Sequence, residues 1–334
     1  MTQKELAEYV GVSSAAVSYA FNGSPGVSDV IRARILAAAE ELGYRPNRSA
    51  QGLRRGRMNM IGLLLADIAN PFYPEVASGV VSAAERAGSQ VFLAQAGLGG
   101  AMQAEAARSL VDRNCDGLVF TSIVSSDAAL LNELRDQGVP FVYANRRIPE
   151  VAADWVGIDD RAASEEAATW LIRTGPRRIA IIGGPTESSV SHERTIGARA
   201  ALAAAGLEPV APELIAGELS RPSGAQRAAA LFDSGIEVDG IVCGNDMIAL
   251  GVMDVCHERG IRIPDDVALV GFDDMSFASA GPLQLTTVSS PRQEMGERAV
   301  QLLLDRIDGY DGPIREERLP YQLQIRATTG APQT

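Results

Sequence analysis

The chain is poor in the residues that most often carry chemistry. Of 334 residues only three are cysteine and two histidine. Cys115, Cys243 and Cys256 are odd in number and far apart, which excludes a disulfide framework and leaves no CxxC pair for a metal; they read as small buried apolar side chains. His192 and His257 lack metal-ligand spacing, and no GxSxG elbow marks a nucleophile. Gly97-Leu98-Gly99-Gly100 misses the third glycine and the capped helix of a dinucleotide loop. An enzyme needs a reaction centre and none presents itself, so neither catalytic residue, metal nor cofactor is expected. Long apolar runs are missing too. The longest, Met60 to Ala66, falls far short of the roughly 20 residues that cross a membrane. Met1 to Glu8 mixes both charge signs without an apolar signal stretch, so nothing directs export and a cytoplasmic location is the expectation.

What is present is a long, core-forming chain with an uneven charge. Its length exceeds one ordinary domain, and 46% hydrophobic residues suffice to bury a core, so two or three packing units are expected. The net charge of -12 argues against nucleic acid only on average. Residues 1–57 carry eight basic against five acidic side chains, a balance of +3, which leaves -15 for the remainder. Arg45 to Arg57 holds five arginines and no acid, a stripe that attracts phosphates or else a solvated linker.

The amino-terminal residues spell short capped helices. Thr2 and Glu5 fit a capping box, Leu6, Ala7 and Val10 follow at helical spacing, and Gly11 stops the helix. Ser13 caps a second helix with Val17, Ala20 and Phe21 inward and Ser14, Ala15, Ser18, Tyr19 and Asn22 outward. Ser28 caps a third, with Ile31, Ile35, Ala38, Ala39 and Leu42 as its buried stripe and Gly43 as its stop. Helix, glycine turn and a second helix with a small polar face is the arrangement that enters a major groove, although three short helices equally suit protein docking. From Met60 onward, apolar runs (61–66, 91–94, 117–121, 141–144, 179–183, 240–243, 267–272) alternate with helical stretches (74–87, 160–173, 193–205, 246–259, 296–306). This is the parallel α/β pattern, and two such sheets imply two lobes with a ligand cleft at the strands' carboxyl ends.

Gly11-Val12-Ser13, Ala16-Val17-Ser18, Phe21-Asn22, Val27-Ser28, Leu42-Gly43-Tyr44-Arg45-Pro46-Asn47 and Asn70-Pro71-Phe72 together resemble the LacI/GalR family of bacterial transcriptional regulators, over nearly the whole chain. The resemblance implies a small all-α helix-turn-helix head (1–44), a hinge helix and linker (45–59), and an α/β periplasmic-binding-protein-like core of two lobes with parallel sheets (60–334). Lobe one would comprise 60–157 and 288–319, and lobe two 158–287 and 320–334. Ser14, Ala15 and Tyr19 would then read bases, and Ser18 and Asn22 hold phosphates. Tyr19 stands where the family often has Arg or His and lacks the fork that grips guanine. In the hinge, Leu53 would wedge into the minor groove, flanked by Asn47, Arg48, Ala50 and Arg54. The implied partners are a near-palindromic double-stranded operator, a second copy of the chain, and a small effector. The chain's last residues carry no heptads, so a coiled-coil tetramer is not expected.

For the effector the resemblance implies Asp67, Asn70, Phe72, Tyr73 and Thr121 from the first lobe and Asn145, Arg194, Asn245 and Asp273 from the second, with Arg292 reaching in from a crossover. Such donors and acceptors suit adjacent hydroxyls and an aromatic face suits a sugar ring, so a saccharide is the first expectation. A purine or a carboxylated corepressor would use much the same set. Asn245 and Asp273 could instead cap helices, and Arg194 could pair with Asp273. Leu219 replaces what is often an aromatic wall in relatives. A secreted sugar-binding protein would share the core but lack residues 1–57. Together these readings describe an operator-specific repressor whose DNA affinity a metabolite changes.

Overall fold

The structure is a computed structural model that describes residues 1–22, 25–45 and 57–331. It divides into two compact units, Met1–Met58 and Asn59–Thr334. Among the described residues no helix is long and apolar enough to cross a membrane.

Among its described residues the first unit has three short helices, α1 (Gln3–Val10), α2 (Ser14–Asn22) and α3 (Asp29–Glu41). Each begins where a side chain meets an orphan N–H. Thr2 and Glu5 form a reciprocal capping box, Ser13 Oγ accepts from Ala16 N, and Ser28 Oγ accepts from Ile31 N. Gly11 ends α1 in the left-handed region at φ 73°, which only a residue without Cβ adopts freely. Leu6, Ala7, Val17, Ala20, Ile35, Ala38 and Ala39 form the core.

The second unit is two three-layer sandwiches. The first sheet runs β10-β5-β4-β3-β1-β2, all parallel, from β1 (Met60–Leu65), β2 (Gln90–Gln95), β3 (Gly117–Phe120), β4 (Phe141–Ala144), β5 (Asp154–Gly157) and β10 (Glu316–Arg318). Helices α4 (Phe72–Arg86) and α11 (Arg292–Ile307) cover one face, and α5 (Ala101–Asp112) and α6 (Ala128–Asp136) the other. The second sheet, β11-β9-β8-β7-β6, is built from β6 (Ile179–Ile182), β7 (Gly240–Cys243), β8 (Ala268–Asp273), β9 (Thr286–Ser289) and β11 (Gln322–Gln324). Its edge strand β11 is antiparallel, which departs from the purely parallel expectation. Here α7 (Asp160–Arg173) and α8 (Ser189–Ala204) lie on one face, α9 (Arg221–Asp233) and α10 (Asp246–Arg259) on the other. All three cysteines are buried and free.

The chain passes between lobes three times. It does so after β5, between β9 and α11, and after β10. The second passage lies beyond Ser289 instead of at Thr287-Val288, because all four residues of β9 pair with β8 in the second sheet. Asn145 is likewise corrected. It follows β4, which pairs with β3 and β5, so it belongs to the first lobe. The short strands β5, β9, β10 and β11 escape a search for apolar runs because they are polar or carry charge. Within β5, Asp154 is fully buried yet gripped by Arg306 at 2.7 Å and Arg315 at 2.6 Å. Burial alone would raise its carboxyl pKa; the two guanidinium groups outweigh burial and hold it below the usual range.

Helices α4 and α11 approach so closely that only glycine fits between them. A Cβ on Gly79 would strike the Gln293 carbonyl, and one on Gly296 would strike the Val76 carbonyl. Gly296→Ala therefore forces two backbones apart and is expected to cost about 1–3 kcal/mol, read as a lower urea midpoint; an unchanged midpoint would show that the helices part freely.

Candidate functional site

Two sites emerge, one on each unit. On the head, α2 is held at both ends. Gln3 Nε2 donates to the Ser14 carbonyl (2.7 Å), and Arg32 Nη1 donates to the carbonyls of Tyr19 (3.3 Å) and Ala20 (3.2 Å). Ser14, Ala15, Tyr19 and Asn22 are exposed and Ser18 is half-buried, so the five residues expected to face DNA share one open surface. Asn22 Nδ2 donates to Ser18 Oγ at 3.2 Å, which fixes that pair as a unit one helical turn apart. The bracing residues Gln3 and Arg32 escaped the sequence reading, since a long polar side chain gives no sign of which carbonyl it will reach. Asn47, Arg48, Ala50, Leu53 and Arg54 lie outside the described residues.

In the core, the carboxyl ends of the two sheets face each other across a closed cleft. Asn70, Phe72, Tyr73, Asn145 and Arg146 line it from the first lobe, and Val190, Arg194, Leu219, Asn245 and Asp273 from the second. The cavity left between them is about 20 Å³, room for about one water. An outer cavity of about 150 Å³ shares Asn145 and Val190 with it and is also walled by Arg147, Arg161, Glu193 and Arg318. Small-molecule sites usually enclose about 300 Å³ or more, so a ligand enters the inner cavity only when the lobes part.

Arg194 is the anchor of the second lobe. Its Nε donates to Asp160 Oδ1 at 2.7 Å and its Nη1 to the Gly244 carbonyl at 2.8 Å. Nη1 also lies 3.2 Å from Asp273 Oδ1, without hydrogen-bond alignment, and the guanidinium stacks 3.6 Å over the Phe272 ring. Burial pushes the Asp160 and Asp273 carboxyls up while Arg194 opposes it, and burial likewise raises the Tyr73 hydroxyl. Burial alone would lower the Arg194 pKa, but Asp273 and Asp160 outweigh it and raise it. Arg194 is thus both a cavity wall and half of a buried ion-pair network. Asn245 does cap α10, accepting from Ile248 N at 2.9 Å, and its amide also points to the Leu219 carbonyl at 3.4 Å. Asp273 caps nothing; it closes β8 with φ 108°, and Asn145 sits at φ 74°. Left-handed backbone at non-glycine residues concentrates at functional sites.

Three expected residues stand outside the cavity wall. Thr121 Oγ1 donates to the Leu64 carbonyl at 2.8 Å, and Asp67 accepts from Ala69 N at 2.9 Å. Arg292 is held by Glu75 at 2.9 Å and by the carbonyls of Asp273 and Asp274, so its fork supports the cleft from behind. Arg146 and Asp160 were missed. Arg146 is 2% exposed, and its Nε and Nη1 have no partner among the described residues. It directly follows Asn145 at the carboxyl end of β4, where a ligand cleft is expected in such a sheet. The described residues include no group of three or more His, Cys, Asp and Glu placed to hold a metal.

Behind Asp273 lies a second acid. Asp246, fully buried, accepts from Thr287 Oγ1 (2.6 Å) and Met275 N (2.7 Å), and burial followed by the neighbouring Asp273 pushes its pKa up to about 8. The folded chain therefore holds this proton where the unfolded chain has released it. The stabilising contribution is full below the carboxyl's ordinary value of 3.8 and is lost as pH rises to about 8. Asp246→Asn removes that loss, so relative to the unchanged chain the variant should gain stability from pH 5 to pH 8, by at most about 1.4 kcal/mol per pH unit, in urea titrations at the two pH values. A constant difference would contradict the assignment.

Comparison with known proteins places these features. The family model described as bacterial regulatory proteins, lacI family, matches residues 2–47, and the one described as periplasmic binding proteins and sugar binding domain of LacI family matches residues 58–328. The HTH-type transcriptional regulator MalR of Streptomyces coelicolor is 34% identical over 98% of this chain and 96% of that protein. The solved transcriptional regulator CelR–cellobiose complex is 33% identical with a TM-score of 0.75, covering 98% of this chain and 99% of that one. The lac repressor dimer bound to operator and the anti-inducer ONPF is 26% identical with a TM-score of 0.88, covering 99% of each chain.

Proposed function

Because the chain belongs to the LacI family of bacterial regulatory proteins, we propose that it is an operator-specific DNA-binding repressor that a sugar releases by binding between the core lobes. The chain is a regulator and not an enzyme. The observation that carries the sugar reading is Arg146: a buried fork with two unmet donors, facing a cavity that also holds the unaligned acceptor Asp273 Oδ1. A ligand that answers both needs adjacent acceptors and donors, as vicinal hydroxyls provide. Charge points the same way. The three arginines around the cleft, Arg146, Arg194 and Arg292, are equalled in number by Asp160, Asp273 and Glu75, of which the first two pair with Arg194 and the third with Arg292, so a carboxylated effector would add a net negative charge to a dry site. The outer cavity leaves space for a second ring. The sugar acts through its different affinity for the DNA-competent and DNA-incompetent arrangements of the lobes. This reading carries a cytoplasmic location with it.

Fluorescence anisotropy on duplexes from the chain's own promoter region, with glucose, maltose and cellobiose in turn, tests the proposal. One of these sugars should weaken binding by at least about tenfold, equivalent to about 1.4 kcal/mol. Arg146→Ala should keep most of the stability and the DNA affinity and lose the response, since the Arg146 Nε and Nη1 make no hydrogen bond among the described residues. Arg194→Ala, in contrast, strands two buried carboxylates and should lose about 3–5 kcal/mol of stability. Response to a purine alone would sink the sugar reading.

The second copy is supported by surface chemistry. Ile68, Val81, Phe92, Leu93, Leu98 and Met102 are 38–60% exposed, and they belong to the edge strand β2 and the segments flanking it. Exposed apolar side chains gathered on one edge mark an interface, and a two-fold dimer matches a near-palindromic operator. Leu93→Glu is expected to shift sedimentation from dimer to monomer and to weaken operator binding at least about tenfold; a variant still dimeric would place the interface elsewhere.

A further inference from the structure

Within the reading face of α2, Tyr19 differs from its neighbours in having a support. A Cβ on Gly26 would stand 3.1 Å from Tyr19 Cδ2 and 3.3 Å from Cε2, so the ring rests against the bare backbone of the turn that follows α2. Gly26 also holds φ 121°, where a side chain would be strained whatever the space. Two constraints, room and conformation, thus call for glycine at this position. From the other side, Arg32 fixes the Tyr19 carbonyl. Tyr19 remains 43% exposed.

A phenol braced in this way offers one rotatable hydroxyl and an apolar ring edge. In the major groove guanine presents two acceptors, which call for two donors; cytosine presents a donor without a methyl; adenine presents a donor beside an acceptor. Thymine alone presents an acceptor, O4, next to a methyl group. We propose that Gly26 is a positioning residue that holds Tyr19 as a thymine reader, so that each operator half-site carries a T·A pair opposite residue 19. The proposal rests on the reading of the chain as a DNA-binding regulator and adds a base identity to it.

Selection from randomised duplexes by the full-length chain, followed by anisotropy on single-position variants, is the test. The unchanged chain should select thymine at one position per half-site, and uracil there, which lacks only the methyl, should bind more weakly. Tyr19→Ala should cut the preference at that position about tenfold, the scale of one mismatched pair. Gly26→Ala should relax the same position and no other, and should add nothing there in the Tyr19→Ala background. Selection of guanine at the Tyr19-sensitive position overturns the proposal, as does a Gly26→Ala variant that keeps its thymine and weakens on all duplexes alike. Should Gly26→Ala abolish folding of the head, glycine-selective labelling of the unchanged chain decides. Gly26 Hα should give nuclear Overhauser contacts to the Tyr19 ring protons, and their absence rejects the contact. A chain that binds no duplex at all would instead refute the regulator reading.

Discussion

One buried guanidinium organises the second lobe. Arg194 on α8 ties together the start of α7 through Asp160, the end of β7 through the Gly244 carbonyl, and the end of β8 through Asp273 and the face of Phe272. A charge taken this far from water is tolerable only where opposite charges and carbonyls replace its hydration. The wall it builds is therefore rigid by necessity. The first lobe contributes the contrary element, the fork of Arg146 with donors unmet. A cleft that is satisfied on one side and wanting on the other is completed by a ligand carrying acceptors and donors together.

The same cleft stores backbone strain and holds it from behind. Asn145 and Asp273 both occupy positive φ, each at a cost on the order of 1–3 kcal/mol. Asn145 is kept there by Trp155 Nε1, which donates to its carbonyl at 2.9 Å, and by its own N–H to the Val156 carbonyl at 2.8 Å. Asp273 is kept by Arg292 on its carbonyl and by Asp246 on the N–H of Met275. Arg292 and Asp246 thus act on the cleft without entering it, and Asp246 adds a proton that the folded state retains near neutral pH.

Most of the cleft was legible because strand ends are legible. Seven of the ten cavity-lining residues were reached by combining apolar runs, polar residues at their carboxyl ends and the family motifs. The failures have physical causes. Asp160 sits in the first turn of α7, where an acid is ordinary, and only the crossing of α7 over α8 gives it Arg194. The long side chain of Arg292 reaches from α11 to Glu75, 217 residues away, and nothing local records that. Asn145 was grouped with the second lobe although the bounds 60–157 already put it in the first, where the pairing of β4 with β3 and β5 places it. Strands β5, β9, β10 and β11 were invisible because short polar segments become strands only when a neighbouring edge offers its hydrogen bonds.

By itself the sequence determined what local physics can write. It wrote the capped helices and glycine stops of the head, the alternation of apolar runs with helices, the contrast between a basic start and an acidic remainder, and the motifs of the family. Tertiary structure alone decided which distant groups meet: the pairing of Arg194 with two carboxylates, the isolation of Arg146, the raised proton affinity of Asp246 and the resting of Tyr19 on Gly26. Caps and periodicities act over a few residues, within reach of the chain's own hydrogen bonds. Burial and charge compensation depend on what the fold brings alongside, and that is set by packing across tens to hundreds of residues.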